Sequence, residues 1–309
     1  MKKLSIVVHG GAGPDSDFIA KNSVGYKKGL TDARDIGFNI LSEGGEAVDA
    51  VEAAVNALED NPLFNAGRGS ALNEHAEVEM DASIMSGKDL SAGAVCIVKN
   101  VKNPVSLSRA IMEKSKHTYL GGNGALEFAK KFGLELMPDA YFLTDHAFEQ
   151  YISALKEEND SIKKAANYKF SAKSYGTVGA VAVDQNGNVA AATSTGGTEN
   201  KHHGRIGDSS MIGTGCYANN ETCAISATGD GEYIIKKVLG FHISSLMKYK
   251  GLSLQEASKF FVREEIKKKD GDLGFIGVDA LGEISMEFNS ERMHRAWLSS
   301  SGYHGVAIH

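Results

Sequence analysis

The stretch VGAVAVDQNGNVAAATST constrains this chain most. Residues 178–184 read as a strand, residues 188–193 as its return, and Asn186-Gly187 between them is the strongest short hairpin signal. Strands joined this tightly pair antiparallel, without the crossover helix that a parallel pair requires. The same texture recurs. Val78, Met80, Ala82 and Ile84 alternate as a half-buried strand, which SGKD turns back into a strand over 92–98, and LGFIGVDALGEISMEFN reads as a closing hairpin. Residues 4–8 form a short strand that ends in the loop His9-Gly10-Gly11-Ala12-Gly13, and 222–227 form another. Helical periodicity covers 23–41, 47–58, 104–114, 124–132, 145–157, 232–249 and 253–267. From Lys156 the chain turns charged and loses apolar periodicity, so about 156–176 reads as an exposed linker. Hairpins alternating with blocks of helix predict a layered α+β chain with antiparallel sheets and outer helices. The two halves share one core, because neither contains a complete set of layers.

Bulk properties exclude several function classes. A net charge of -6 argues against nucleic-acid binding, which depends on clustered Lys and Arg. No apolar run is long enough to span a bilayer, and MKKLSIVVHGGAG lacks the form of a signal peptide. Cys96, Cys216 and Cys223 are odd in number and lack C-x-x-C spacing, which points to a reducing cytoplasm without a disulfide framework or zinc site. His202-His203 are adjacent and make a poor chelating pair. Glycine is the outlier at 35 residues, implying many close backbone approaches or positive-φ turns.

Four clusters carry candidate chemistry. Gly10-Gly11-Ala12-Gly13 after a strand superficially suggests a dinucleotide loop, but Ser16 stands at the third glycine of G-x-G-x-x-G, and Asp15 and Asp17 would repel a pyrophosphate. Arg205 and Asp208 lie three apart in a glycine-broken loop. A guanidinium fork grips a carboxylate and an Asp grips an ammonium, so the pair matches the two ends of an α-amino acid; the alternative is a surface ion pair worth little. Thr228-Gly229-Asp230-Gly231 joins a strand to a helix, and is either an oxyanion-stabilising turn or an ordinary turn capped by Asp230.

Thr177 sits between Gly176 and Val178, just ahead of the hairpin, with no His–Asp partner near it in sequence. Its hydroxyl is a weak nucleophile unless a base lies within reach. Cleavage of the bond before it would place an α-amine, with an ordinary pKa of about 7.7–8.0, on the same residue. Gly176 suits such a bond because a residue without Cβ accepts strained backbone conformations.

Taken together, HGGAG, NPLFNAGRGSALN, EVEMDASIM, GTVGAVAVD, ATSTGG, GRIGDSS, GCYANN and TGDGE resemble, in order and over nearly the whole chain, the plant-type L-asparaginases and isoaspartyl peptidases, a family of N-terminal-nucleophile hydrolases. The resemblance implies a four-layer αββα sandwich and self-cleavage between Gly176 and Thr177 into an α-chain, 1–176, and a β-chain, 177–309. It implies Thr177 as nucleophile, Thr195 as the hydroxyl that positions it, and Thr228 and Gly229 as oxyanion hole. Arg205 and Asp208 would bind the substrate's α-carboxylate and α-amine, assisted by the Gly231 carbonyl, and Asn65 would act in maturation. It further implies a structural sodium ion on the carbonyls of Leu58, Glu59, Asn61, Phe64, Ala66 and Arg68, no catalytic cofactor, small-molecule substrates (asparagine and isoaspartyl dipeptides), and a homodimer of cleaved units. Thr198, His202, His203 and Asp230 depart from the family pattern and bear on substrate preference. The alternatives are a glycosylasparaginase-like hydrolase, disfavoured by GTVG and the missing signal peptide, and an uncleaved amino-acid-binding protein.

Overall fold

The computed structural model describes residues 3–164, 176–265 and 271–309. Its strands are β1 (Ser5–Gly13), β2 (Met80–Ser86), β3 (Ala92–Val98), β4 (Tyr119–Gly121), β5 (Val178–Val183), β6 (Val189–Thr195), β7 (Cys216–Ala218), β8 (Cys223–Gly229), β9 (Leu273–Asp279), β10 (Ile284–Phe288), β11 (Arg292–Ser299) and β12 (His304–Ala307). Its helices are α1 (Asp17–Lys21), α2 (Ser23–Ser42), α3 (Ala47–Glu59), α4 (Pro104–Lys114), α5 (Gly122–Lys131), α6 (Asp139–Phe142), α7 (Asp145–Lys164), α8 (Gly231–Lys237), α9 (Leu239–Lys250) and α10 (Leu254–Phe260).

Eight strands form one sheet in the order β12-β11-β1-β5-β6-β2-β3-β4, and four form a second in the order β10-β9-β8-β7. Every pairing is antiparallel except β3 with β4. The side-chain alternation of β5 shows how the layers stack. Val178, Ala180 and Ala182 join Ile6, Val8, Val51 and Ala54 in the core between the large sheet and helices α2 and α3. Val181 and Val183 point the other way, to Val7, Ile276 and Val278 in the core between the sheets. A third core lies between the small sheet and α8 to α10, built on Ile225, Phe275, Ile243 and Phe261. The result is the expected αββα sandwich. Alanines at 180, 182, 190 and 192 meet alanines 47, 50 and 54 of α3, so helix and hairpin approach closely. Within such tight packing even one added methylene is felt.

Several local expectations need correction. β2 is buried along nearly its whole length rather than on one face, because a middle strand of four layers has no solvent side. The glycines at 10–13 continue β1 instead of ending it, through a break in the β11 register between His9 and Ala12. The helix expected over 232–249 is two helices, broken at Val238, which adopts φ 48°. The linker expected from Lys156 begins as the last turns of α7, which runs to Lys164; the rest, 165–175, lies outside the described residues. α10 ends at Phe260 and passes into a π-helical turn over Phe261–Glu265. The strands β4, β7, β11 and β12 had no clear sequence signal. At the hairpin, Gly187 N–H bonds Asp184 O at 2.9 Å with φ 79° at Gly187, so the glycine follows the turn rather than forming its centre. Among the described residues no helix is long and apolar enough to cross a membrane.

Candidate active site

Thr177 lies immediately before β5, beyond the last β1–β5 pair, His9 with Gly179. Gly176 adopts φ 63°, and a Cβ there would stand 2.9 Å from Gly10 O and 3.0 Å from Gly11 Cα. The same crowding holds from the other side, since a Cβ on Gly11 would meet Gly176 Cα at 2.2 Å. The peptide ahead of Thr177 is therefore wedged against the β1 glycines in a conformation that an L side chain resists.

Thr177 is 6% exposed, and its Oγ1 donates to Thr195 Oγ1 at 3.2 Å. Thr195 stands at the end of β6, the partner of β5, and also accepts from Gly197 N–H at 3.0 Å. A cleft lined by Thr177, Thr195, Gly197, Thr198, Arg205, Gly207, Asp208, Ser209, Gly229 and Gly231 gathers most of the expected site. Two residues stand behind it. Thr228 is fully buried, and its Oγ1 accepts from Ala12 N–H at 3.2 Å, which leaves its own proton to donate. Asn65 borders a different cavity, shared with Gly176; it donates to Gly197 O at 2.7 Å and accepts from Ala71 N–H at 2.8 Å. It thus ties the FNAG loop to the glycines after Thr195.

Arg205 and Asp208 do not pair directly. The Arg205 guanidinium forms a fork with Glu232, at 2.8 and 2.6 Å. Burial opposes the charge of Arg205, and the Glu232 carboxylate more than compensates, holding its pKa above the ordinary value. Asp208 is buried, its Oδ2 has no hydrogen-bond partner among the described residues, and burial lifts its carboxyl to about 7. Gly231 fits between the two: a Cβ there would stand 2.8 Å from Asp208 Oδ1 and 3.0 Å from Arg205 Nη2. Behind them, Asp81 accepts from Gly207 N–H at 3.3 Å, and buried Lys201 donates to Glu79 O at 2.7 Å.

Asp230 proves to be the N-cap of α8, accepting from Tyr233 N–H at 3.3 Å. The helix start is thus occupied by a carboxylate, which leaves Thr228 and Gly229 as the candidates for an oxyanion. Sequence reasoning missed Glu232, whose place one residue after Gly231 was the available signal. It also missed His9, which reaches Thr177 across 168 positions and bonds its carbonyl rather than its hydroxyl. The arrangement brings into one cleft a buried threonine hydroxyl, a second hydroxyl bonded to it, and a cation and an anion on either side of Gly231.

The asparaginase family profile matches residues 2–308. The chain is 41% identical over 307 residues to the isoaspartyl peptidase of Escherichia coli, covering 99% of this chain and 94% of that one. It is 42% identical over 323 residues to a probable isoaspartyl peptidase/L-asparaginase 2 of Arabidopsis thaliana, covering 98% of each. Against the human isoaspartyl peptidase/L-asparaginase it is 44% identical over 293 residues, covering 93% and 91%.

Proposed function

The chain belongs to the asparaginase family, and from that premise we propose that Thr177, freed at its amine by cleavage after Gly176, is the nucleophile of this enzyme. The chain is a hydrolase of L-asparagine and β-aspartyl peptides. The observation that carries the assignment is the Thr177–Thr195 contact of 3.2 Å in the same cleft as Arg205 and Asp208.

Self-cleavage begins with attack of Thr177 Oγ1 on the Gly176 carbonyl, and water then hydrolyses the resulting ester. The released α-amine stands next to Oγ1 and takes its proton during catalysis. The substrate's α-carboxylate meets Arg205, in competition with Glu232, and its α-ammonium meets Asp208 Oδ2 and the Gly231 carbonyl. The β-carbonyl then faces Thr177. As Oγ1 adds, charge on the carbonyl oxygen is taken up by the Thr228 hydroxyl and Gly229 N–H. The amine proton passes to the leaving nitrogen, ammonia or a peptide amine departs, and water hydrolyses the β-aspartyl ester to aspartate. Thr177→Ala tests the assignment: the variant is expected to keep the full-length mass and show no activity. A cleaved or active variant would refute it.

The 58–68 loop suits the proposed structural sodium ion. A Cβ on Gly69 would stand 2.7 Å from Pro62 O and 2.8 Å from Phe64 O, and one on Gly67 2.5 Å from Glu59 O, so carbonyls crowd these two positive-φ glycines. Glu59, Asn61 and Phe64 each accept one backbone N–H and retain a second lone pair for a cation, Leu58 O accepts from both Asp60 and Asn61 N–H, and Ala66 and Arg68 would supply theirs. Thermal unfolding in sodium against tetramethylammonium salts tests this; equal midpoints would count against the ion. Pairing of two cleaved units is the proposed assembly, tested by sedimentation.

A further inference from the structure

The carbonyl of Thr177 has an unusual partner. The β1–β5 ladder ends at His9 with Gly179, and the His9 side chain continues it, with Nδ1 3.0 Å from Thr177 O. A carbonyl only accepts, so Nδ1 carries the proton. His9 is fully buried, and burial lowers its pKa to about 3, so the imidazole is neutral and Nε2 is an acceptor. Ser226 Oγ on β8, 2.8 Å from Nε2, must then be the donor. Its one proton being used, the 2.7 Å contact between Ser226 Oγ and Thr193 Oγ1 takes its proton from Thr193, shared with Gly215 O at 3.0 Å. The Ser226 proton is shared in turn with Ala192 O at 3.3 Å, so the neutral Nδ1–H form of His9 is the one that satisfies Thr177 O, and all three side chains are fully buried.

Gly179, the second glycine of GTVG, makes the arrangement possible. A Cβ there would stand 2.0 Å from Ser226 Oγ and 2.5 Å from His9 Nε2, inside their hydrogen bond. The far end of the chain reaches the substrate side, because Gly215 N–H donates to Asp208 O at 3.2 Å. The network therefore links both sheets to the nucleophile and to the ammonium-binding loop.

We propose that His9 is a positioning residue for the reaction: locked in its Nδ1–H form by Ser226 and Thr193, it fixes the peptide plane of Thr177 and with it the aim of the hydroxyl and amine. The inference rests on Thr177 being the nucleophile. Before cleavage Thr177 is held by the chain on both sides. Afterwards only its carbonyl side is tethered, and the His9 bond removes one of the remaining soft rotations. Misplacement of a reacting group by about 1 Å can cost roughly 100-fold in rate.

The test compares His9→Gln with His9→Asn, with rates on asparagine normalised to cleaved chain by intact mass. The Asn amide nitrogen can take the place of Nδ1, whereas the Gln amide lies nearer Nε2 and abandons the Thr177 carbonyl. His9→Gln is expected to lose about 10- to 100-fold in kcat with KM within about twofold, and His9→Asn to recover to within about fivefold of wild type. Unchanged kcat in His9→Gln, equal losses in both variants, or a loss confined to KM would overturn the inference. Nitrogen NMR of histidine-labelled wild type is independent of folding in the variants. It is expected to show His9 protonated at Nδ1 and bare at Nε2, and the opposite form would overturn the inference. An uncut, inactive wild type would instead remove the nucleophile assignment on which it rests.

Discussion

The strand that carries Thr177 and the loop that carries Arg205 and Asp208 face one cleft but are built on opposite plans. Around Thr177 the buried polar groups find partners within the protein: His9, Ser226, Thr193 and Thr195 form a closed set. In the loop, Asp208 Oδ2 is buried without a partner among the described residues, and Arg205 borrows the half-exposed Glu232. The difference fits the roles proposed for each region. A nucleophile gains from a geometry set in advance, whereas a binding group gains from a partner that only the substrate supplies. A buried carboxylate oxygen without a partner is costly in the free enzyme, and the proposed substrate ammonium would relieve that cost.

The largest expected effect is on the loop. Asp208→Asn should raise KM about 10- to 100-fold, since a hydrogen bond to a charged group is worth about 1.5–3 kcal/mol. The wild type should show the same dependence through pH. Burial raises the Asp208 carboxyl to about 7, so the ionised form proposed to hold the ammonium prevails above that value and is lost below it. KM should therefore rise as pH falls through about 7, and Asp208→Asn should abolish that rise; steady-state kinetics across roughly pH 5 to 9 read both, because kcat/KM reports the ionising groups of the free enzyme.

Next comes the strand. Gly179→Ala forces a methyl between Ser226 and His9 and should lower stability by about 1–3 kcal/mol, the usual cost of overpacking. Denaturant unfolding of the variant measures it, and an unchanged midpoint would mean that the network is loose rather than closed. The smallest effect concerns Glu232. Its removal as a competitor in Glu232→Gln should lower KM by about two- to fivefold at low salt, with less change at high salt, because the half-exposed pair is screened. A higher KM would show that Glu232 holds Arg205 in its binding position rather than competing for it.

Much of this site was legible from local chemistry. A threonine after a glycine, an Arg and an Asp in a glycine-broken loop, and TGDGE after a strand each allow an ordinary reading alone, and the order of motifs joins them. The positive φ of Gly176 follows the same logic, since the absence of Cβ is written in the sequence. What stayed hidden was partnership. His9 looked like the start of a glycine loop, and nothing near Thr177 pointed to it. Ser226 and Thr193 were ordinary strand residues. Lys201, Asp81 and Glu79 gave no sign that they would be buried together behind Arg205. The half-buried reading of β2 failed for a related reason, because alternation cannot tell whether a strand's second face meets water or another layer.

The sequence by itself determined most of the longer elements and the reactive types. Periodicity, turn residues and glycine placement act over a few residues, and those distances are printed in the chain. Only the tertiary structure decided which buried groups share a proton. The contacts of His9 with Thr177 and of Thr193 with Ser226 depend on strand register and on the stacking of two sheets, where a shift of one residue turns every side chain to the opposite face. That choice is made by the packing of the whole core, and no short stretch of the chain contains it.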